Sequence, residues 1–269
     1  MRFTFDHDYH IHSGLSSCSN DPEQSPERIL AYAKENGLTS ICLTDHFWDS
    51  AVPGASNWYA PQNFEHISRA KPLPQAEGIE FLFGCETDMD KFLTVGVSEE
   101  TMDKLDFFII PTTHLHMKGW TLTEEDAASL KRRAELWVTR LDALLDMDLP
   151  FRKIGIAHLA CSLMAGSKAP RADYLAILDM IPGEEMERLF KKAAALGVGI
   201  ELNSSDMEYS DEERDTVLRM FRIAKECGCK FYCGSDAHHP AGLDGAKAIF
   251  ERAIDDLGLE ETDKFQIGR

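Results

Sequence analysis

The sequence has no apolar run long enough to span a bilayer, and no basic stretch followed by an apolar one that would read as a secretion signal. A cytoplasmic location and no membrane partner are the expectations. The chain is also short of positive charge: 28 Lys and Arg stand against 46 Asp and Glu, a formal net charge of -18. A surface that neutralises nucleic-acid phosphates needs clustered cations, so this balance argues against nucleic acid as a partner. No Pro/Ser-rich linker, low-complexity tract or composition break divides the 269 residues, which predicts one domain over residues 1–269. The seven cysteines are an odd number without CxxC spacing. Cys227, Cys229 and Cys233 therefore do not read as a zinc ribbon, and like Cys42, Cys85 and Cys161 they are expected to be buried, reduced thiols.

What is present is an alternation. Short β-branched and aromatic runs occur at about residues 5 to 11, 40 to 44, 79 to 86, 106 to 112, 153 to 158, 198 to 203 and 230 to 235. Helical patterns lie between them with readable ends. Ser25-Pro26 opens one that Gly37 closes, Thr123 to Asp126 and Ser210 to Glu213 read as capping boxes, and Gly197 and Gly228 sit where C-terminal caps belong. Residues 94 to 105 are expected to add a short strand and helix, and a last helix follows Ala241. Seven repeats of strand and helix predict an α/β fold, a distorted (βα)7 TIM-like barrel, whose functional residues gather at the C-terminal ends of the strands.

Each of the seven runs ends in a histidine or carboxylate: His10 and His12, Asp45-His46, Glu86, His114, His158, Glu201, and Asp236 with His238. Imidazole nitrogen and carboxylate oxygen together suit Zn, Mn or Fe, and the set is larger than one ion can use. Two or three divalent ions are therefore expected, with Glu86 as a bridge. Such a cluster acidifies water into hydroxide near neutral pH and steadies both oxygens of an in-line phosphoryl transfer. Amide hydrolysis can use the same hydroxide, although no lysine ends a strand to bridge ions as it does in amidohydrolase barrels. Asp8 and Asp45 are open between ligation and support of a neighbouring imidazole, as is Glu201. His7, His66 and His239 read as structural.

These motifs resemble the PHP (polymerase and histidinol phosphatase) superfamily over nearly the whole chain. His10 and His12 match its HxH motif, Asp45-His46 its DH pair, Glu86 its middle glutamate, His114 and His158 its next histidines, and Gly234 to His238 its closing GSDAH. The resemblance implies a distorted (βα)7 barrel with a trinuclear site: His10, His12, Glu86 and Asp236 around one ion, Glu86, His114 and His158 around a second, His46 and His238 around a third. Where the family has a further histidine or aspartate after HxH, this chain offers Cys18, with Asp21 as the alternative. The length resembles stand-alone histidinol-phosphate phosphatases.

The resulting expectation is hydrolysis of a small phosphomonoester by a metal-bridging hydroxide, with Glu86, Asp236 and His238 as the catalytic set. Lys118 and Arg171, and after them Lys168, are the candidate phosphate contacts. A nucleotide phosphodiesterase or nuclease and a non-catalytic metal-binding regulatory domain are the alternatives. The loop from Phe47 to Tyr59, rich in aromatics, is open between a cover for a small substrate and packing against outer helices.

Overall fold

Nine short strands carry the fold among residues 1–19 and 21–268, which the computed structural model describes. They are β1 (His7–Ile11), β2 (Ser40–Leu43), β3 (His46–Phe47), β4 (Glu80–Phe83), β5 (Cys85–Thr87), β6 (Phe108–Pro111), β7 (Ile154–Ala157), β8 (Gly199–Asn203) and β9 (Lys230–Gly234). All their ladders are parallel, in two sheets ordered β1-β2-β4 and β3-β5-β6-β7-β8-β9.

The run expected at 79 to 86 is broken, and the one at 40 to 44 continues, after a break, into a further short strand. The chain passes from β2 to β3 across Thr44 and Asp45, and from β4 to β5 across Gly84. Any Cβ at Gly84 would collide with the Phe107 carbonyl oxygen and Cys42 Sγ, so the kink needs glycine. Counting each broken run once leaves seven strand positions, and the outer ones meet. The Asp236 N–H donates to His10 O at 2.7 Å and the His12 N–H to Ala237 O at 3.1 Å, which ties the end of β9 to β1.

An apolar cluster of Cys42, Phe107, Ile109, Ala157, Tyr232 and Phe265, packed against Tyr9 and Leu82, takes side chains from strands of both sheets. Only the interior of a ring brings those strands together. The architecture is thus a single α/β domain of parallel strands in a ring, with ladders interrupted at the kinks, in keeping with the distorted barrel expected. A larger apolar cluster joins the strands to the surrounding helices, the longest being Leu130–Leu145 and Gly183–Leu196.

Local signals explain most helix ends. Ser25 Oγ accepts from the Arg28 N–H ahead of helix Pro26–Asn36, and Gly37 closes that helix at φ 69°. The Thr123 box caps helix Glu124–Ala127. The Ser210 box forms, but it closes a turn before the helix, which starts at Arg214. Residues 94 to 105 give the helix Glu99–Met102 and, in place of a strand, one bridge between Met89 and Val95. Cys227 also departs from expectation: it caps a helix and is only partly buried, while Cys42, Cys85, Cys161, Cys229 and Cys233 are buried. No helix among the described residues is long and apolar enough to cross a membrane.

Candidate metal centre

The polar strand ends converge at one end of the ring. One ligand atom from each of His10, His12, Glu86 and Asp236 lies within 4.8 Å of the others, and the same holds within Glu86, His114 and His158 and within His12, His46 and His238. The register places His46 beside Glu86 across β3 and β5. A bulge in the β1–β2 ladder between Asp8 and Ile11 sits beside the HxH pair, a common device for re-aiming side chains at a site.

Hydrogen bonds on the outer nitrogens determine which atom each imidazole offers. His10 Nδ1 donates to Glu201 Oε1 at 2.6 Å, His12 Nδ1 to Ser16 Oγ at 3.0 Å, and His114 Nδ1 to Asp88 Oδ2 at 2.8 Å. Likewise His158 Nδ1 donates to Thr113 Oγ1 at 3.1 Å and His238 Nδ1 to Asp236 O at 2.7 Å. In these five rings Nε2 is left as a lone pair for the centre. His46 is reversed, its Nδ1 lying 2.9 Å from Glu86 Oε2.

With Nδ1 protonated on both rings, the Nε2 lone pairs of His10 and His12 face each other at 3.1 Å. Glu86 Oε2 and His46 Nδ1 are buried without a hydrogen-bond partner. Lone pairs and a carboxylate crowded together in this way need positive charge among them, so the residues present fit divalent cations. Burial pushes the Glu86 carboxyl up, but when the neighbouring imidazoles of His46 and His10 carry protons in place of cations they outweigh it and hold Glu86 well below the usual carboxylate range. Burial, followed by the nearby His12, lowers His238 to about 3, which keeps it a neutral ligand at physiological pH.

Two centre residues pay in backbone strain. Besides Leu93, the non-glycine residues with positive φ among those described are His158 at 30° and Asp236 at 53°. His158 is held there by its N–H donating to Glu201 Oε2 at 2.6 Å. Glu201 therefore spans the centre, one oxygen on His10 and the other on His158. At Gly234 a Cβ would collide with Glu201 Oε1 and His10 Cβ, which accounts for the glycine at the start of the GSDAH segment.

The supporting residues now have places. Asp8 accepts from Ser235 N–H, His10 N–H and the Tyr32 hydroxyl, and burial raises it to about 6. Asp45 accepts from Ser13 N–H, Ser13 Oγ and Ser16 Oγ at 2.6–2.7 Å. Both brace the loops that carry the ligands. His7 accepts from Cys233 N–H, His66 donates to Leu15 O, and His239 pairs with Asp21 at the rim.

A cavity of about 470 Å³ opens above the centre, lined by His46, Glu86, His114, Asp236 and His238 at its floor and by Cys18, Trp58, Tyr59, His116, Met117 and Leu163 on its walls. Neither Lys118 nor Arg171 lines it. Lys118 is exposed near Glu124, and Arg171 is tied to Glu213 at 2.8 and 2.9 Å, because the loops after β6 and β7 turn Met117 and Leu163 inward instead. Lys168 is exposed. Sequence reasoning does not single out His116, although it forms a second HxH with His114; burial, then the nearby His114, lowers it to about 4. Of the loop aromatics, Trp58 and Tyr59 line the mouth, whereas Phe47 joins the cluster shared by strands and helices and Trp48 is buried. Tyr59 lies 4.8 Å from Trp120 ring to ring, and Trp120 Nε1 donates to Gly54 O at 2.7 Å, so the loop is anchored as a wall.

The PHP domain family model matches residues 8–239, a span that contains every residue of the three ligand groups. The chain belongs to the PHP family. Among curated relatives, a probable phosphatase of Thermoanaerobacter sp. is 26% identical over 247 residues, covering 88% of this chain and 80% of the relative. A probable phosphatase of Vibrio campbellii is 25% identical over 234 residues, covering 86% and 77%. In fold, this PHP chain is similar to a histidinol phosphate phosphatase of Lactococcus lactis crystallised with zinc, L-histidinol and phosphate, with a TM-score of 0.61 at 18% identity and coverage of 97% and 98%.

Proposed function

We propose that this chain is a metal-dependent phosphatase that hydrolyses a small phosphomonoester. The observation that carries the reading is the convergence of six imidazoles and two carboxylates: His46, His114, His238, Glu86 and Asp236 line an open cavity, and His10, His12 and His158 lie within ligand distance of them. His10, His12, Glu86 and Asp236 would hold one ion, and Glu86, His114 and His158 a second, which makes Glu86 the bridge. His46 and His238 would hold a third. Cys18 shares their cavity wall and is the candidate to complete that set, whereas Asp21 is engaged by His239.

Bound there, divalent Zn, Mn or Fe supplies Lewis-acid stabilisation of phosphoryl charge and activates water. With no Lys or Arg among the described lining residues, the ions are the counter-charge for the phosphate. The same lack weighs against a nuclease, whose substrate brings further phosphates. In the net reaction the water oxygen bonds to phosphorus, the ester P–O bond breaks and the departing alcohol oxygen takes a proton. Glu86, Asp236 and His238 are taken as the catalytic set; like His46 and His114 they face the cavity and would hold the ions.

The test is phosphate release from a panel of monoesters, histidinol phosphate among them, by the metal-loaded chain and by the same chain after chelation. Release that chelation abolishes and added metal restores is expected. Release only from phosphodiesters, or release indifferent to chelation, would overturn the reading.

A further inference from the structure

We propose that the leaving group of the preferred substrate is an uncharged, apolar alcohol of aryl-alkyl type. The inference rests on the phosphatase reading and names the substrate class for the same cavity.

The phosphoryl end of a monoester belongs at the floor, where the ligand groups lie. The rest of the molecule must then meet a wall in which Trp58, Tyr59, Met117 and Leu163 outnumber the polar Cys18 and His116. Trp58 is unusual among the large apolar side chains in being 38% exposed, and it stands edge-on to His46 at 5.0 Å and to Tyr59 at 4.7 Å between ring centres. It thus forms an aromatic platform directly beside the ligand cluster. The Tyr59 hydroxyl is already spent, donating to Asp88 Oδ2 at 3.2 Å, so that side chain presents its ring. Thioether and leucine complete a wall suited to an aromatic face.

Charge argues the same way by what the wall does not offer. The carboxylates that line the cavity, Glu86 and Asp236, both belong to the ligand groups, and no lysine or arginine lines it among the described residues. An ammonium on the leaving group would find no free carboxylate, and a second anion would find no cation. Burying either charge unpaired is costly, and a polyhydroxylated sugar would lose more hydrogen bonds to water than His116 and Cys18 could return. Histidinol carries an ammonium group, so its phosphate is expected to be a poor substrate here.

A matched set of alkyl esters tests this: 3-phenylpropyl phosphate, its 2-amino derivative phenylalaninol phosphate, histidinol phosphate and glycerol phosphate, each with the metal-loaded full chain. The first two differ by one ammonium group. The expected result is a kcat/KM for 3-phenylpropyl phosphate about tenfold or more above each of the others. Trp58→Ala should lower the ratio of kcat/KM for 3-phenylpropyl phosphate to that for glycerol phosphate about tenfold, mainly through KM. Equal or better use of the amino or polyhydroxy esters, or a ratio unmoved by Trp58→Ala, would overturn the inference while leaving the phosphatase reading in place. Failure to hydrolyse any of the four while other monoesters are hydrolysed would overturn the inference alone, and failure with every monoester would overturn both.

Discussion

Glu201 illustrates how much of the centre depends on residues that need not touch an ion. Its two oxygens take the His10 Nδ1–H and the His158 N–H, each at 2.6 Å, and Asn203 Nδ2 donates to it as well. One buried carboxylate thereby orients an imidazole of the first ligand group and fixes the strained backbone of a residue in the second. Glutamine at this position keeps one acceptor and loses the other, so Glu201→Gln should weaken metal affinity by roughly 10–100-fold with the fold intact. Competition with a chromophoric chelator reads the affinity, and far-UV circular dichroism checks the fold. Unchanged affinity would show that Glu201 is only a packing residue. The candidate ligands are legible in the sequence because each ends an apolar run, and Glu201 stands out for the same reason, but which imidazole it orients is not legible. Glu201 lies 191 residues from His10, and nothing local in either segment signals that they meet.

At the scale of elements, alternation and caps make the strands and most helices readable, but the breaks in the ring are tertiary events. Gly84 kinks its strand because the Phe107 backbone crosses close by, and no pattern within residues 79 to 86 reports that crossing. The wall built by Trp58 and Tyr59 is equally non-local, since Trp120 from a different loop pins it. Lys118 and Arg171 fall in the loops the sequence indicates, yet those loops present Met117 and Leu163 to the cavity. Near β1 the chain ends are joined by Asp6, which accepts from His7 Nδ1 and Lys264 Nζ, each at 2.9 Å. Burial pushes Asp6 up, but these two donors outweigh it and hold it at about 2. A carboxyl depressed in the folded state adds stability above its ordinary value of 3.8, and that stability is lost as pH falls from there through about 2. Asp6→Asn should therefore destabilise the chain by ~1 kcal/mol at neutral pH, allowing for solvent screening, with the difference vanishing near pH 2. Urea denaturation of both proteins across pH measures it, and a pH-independent difference would refute the ion pair's contribution.

For the molecule as a whole, a formal charge of -18 and a concentrated carboxylate and imidazole cluster both favour taking up cations. The cluster joins β1, β3 and β5 with the segments that follow β1, β6, β7 and β9, so ions bound there would tie together both sheets. Ligands that bind the folded state alone stabilise it, by ~2.7 kcal/mol at a hundred times Kd, so chelation should lower Tm by roughly 5–10 °C. A Tm that chelation does not move would mean that the folded chain held no tightly bound ion to remove, which contradicts a loaded centre.

The most direct measurement is elemental analysis of the purified chain after gel filtration, beside Glu86→Gln. Because Glu86 belongs to two of the ligand groups, the wild type should retain two or three divalent ions per chain and the variant at least one fewer. A wild type without stoichiometric metal, or a variant that retains the full complement, would contradict a Glu86-bridged metal centre.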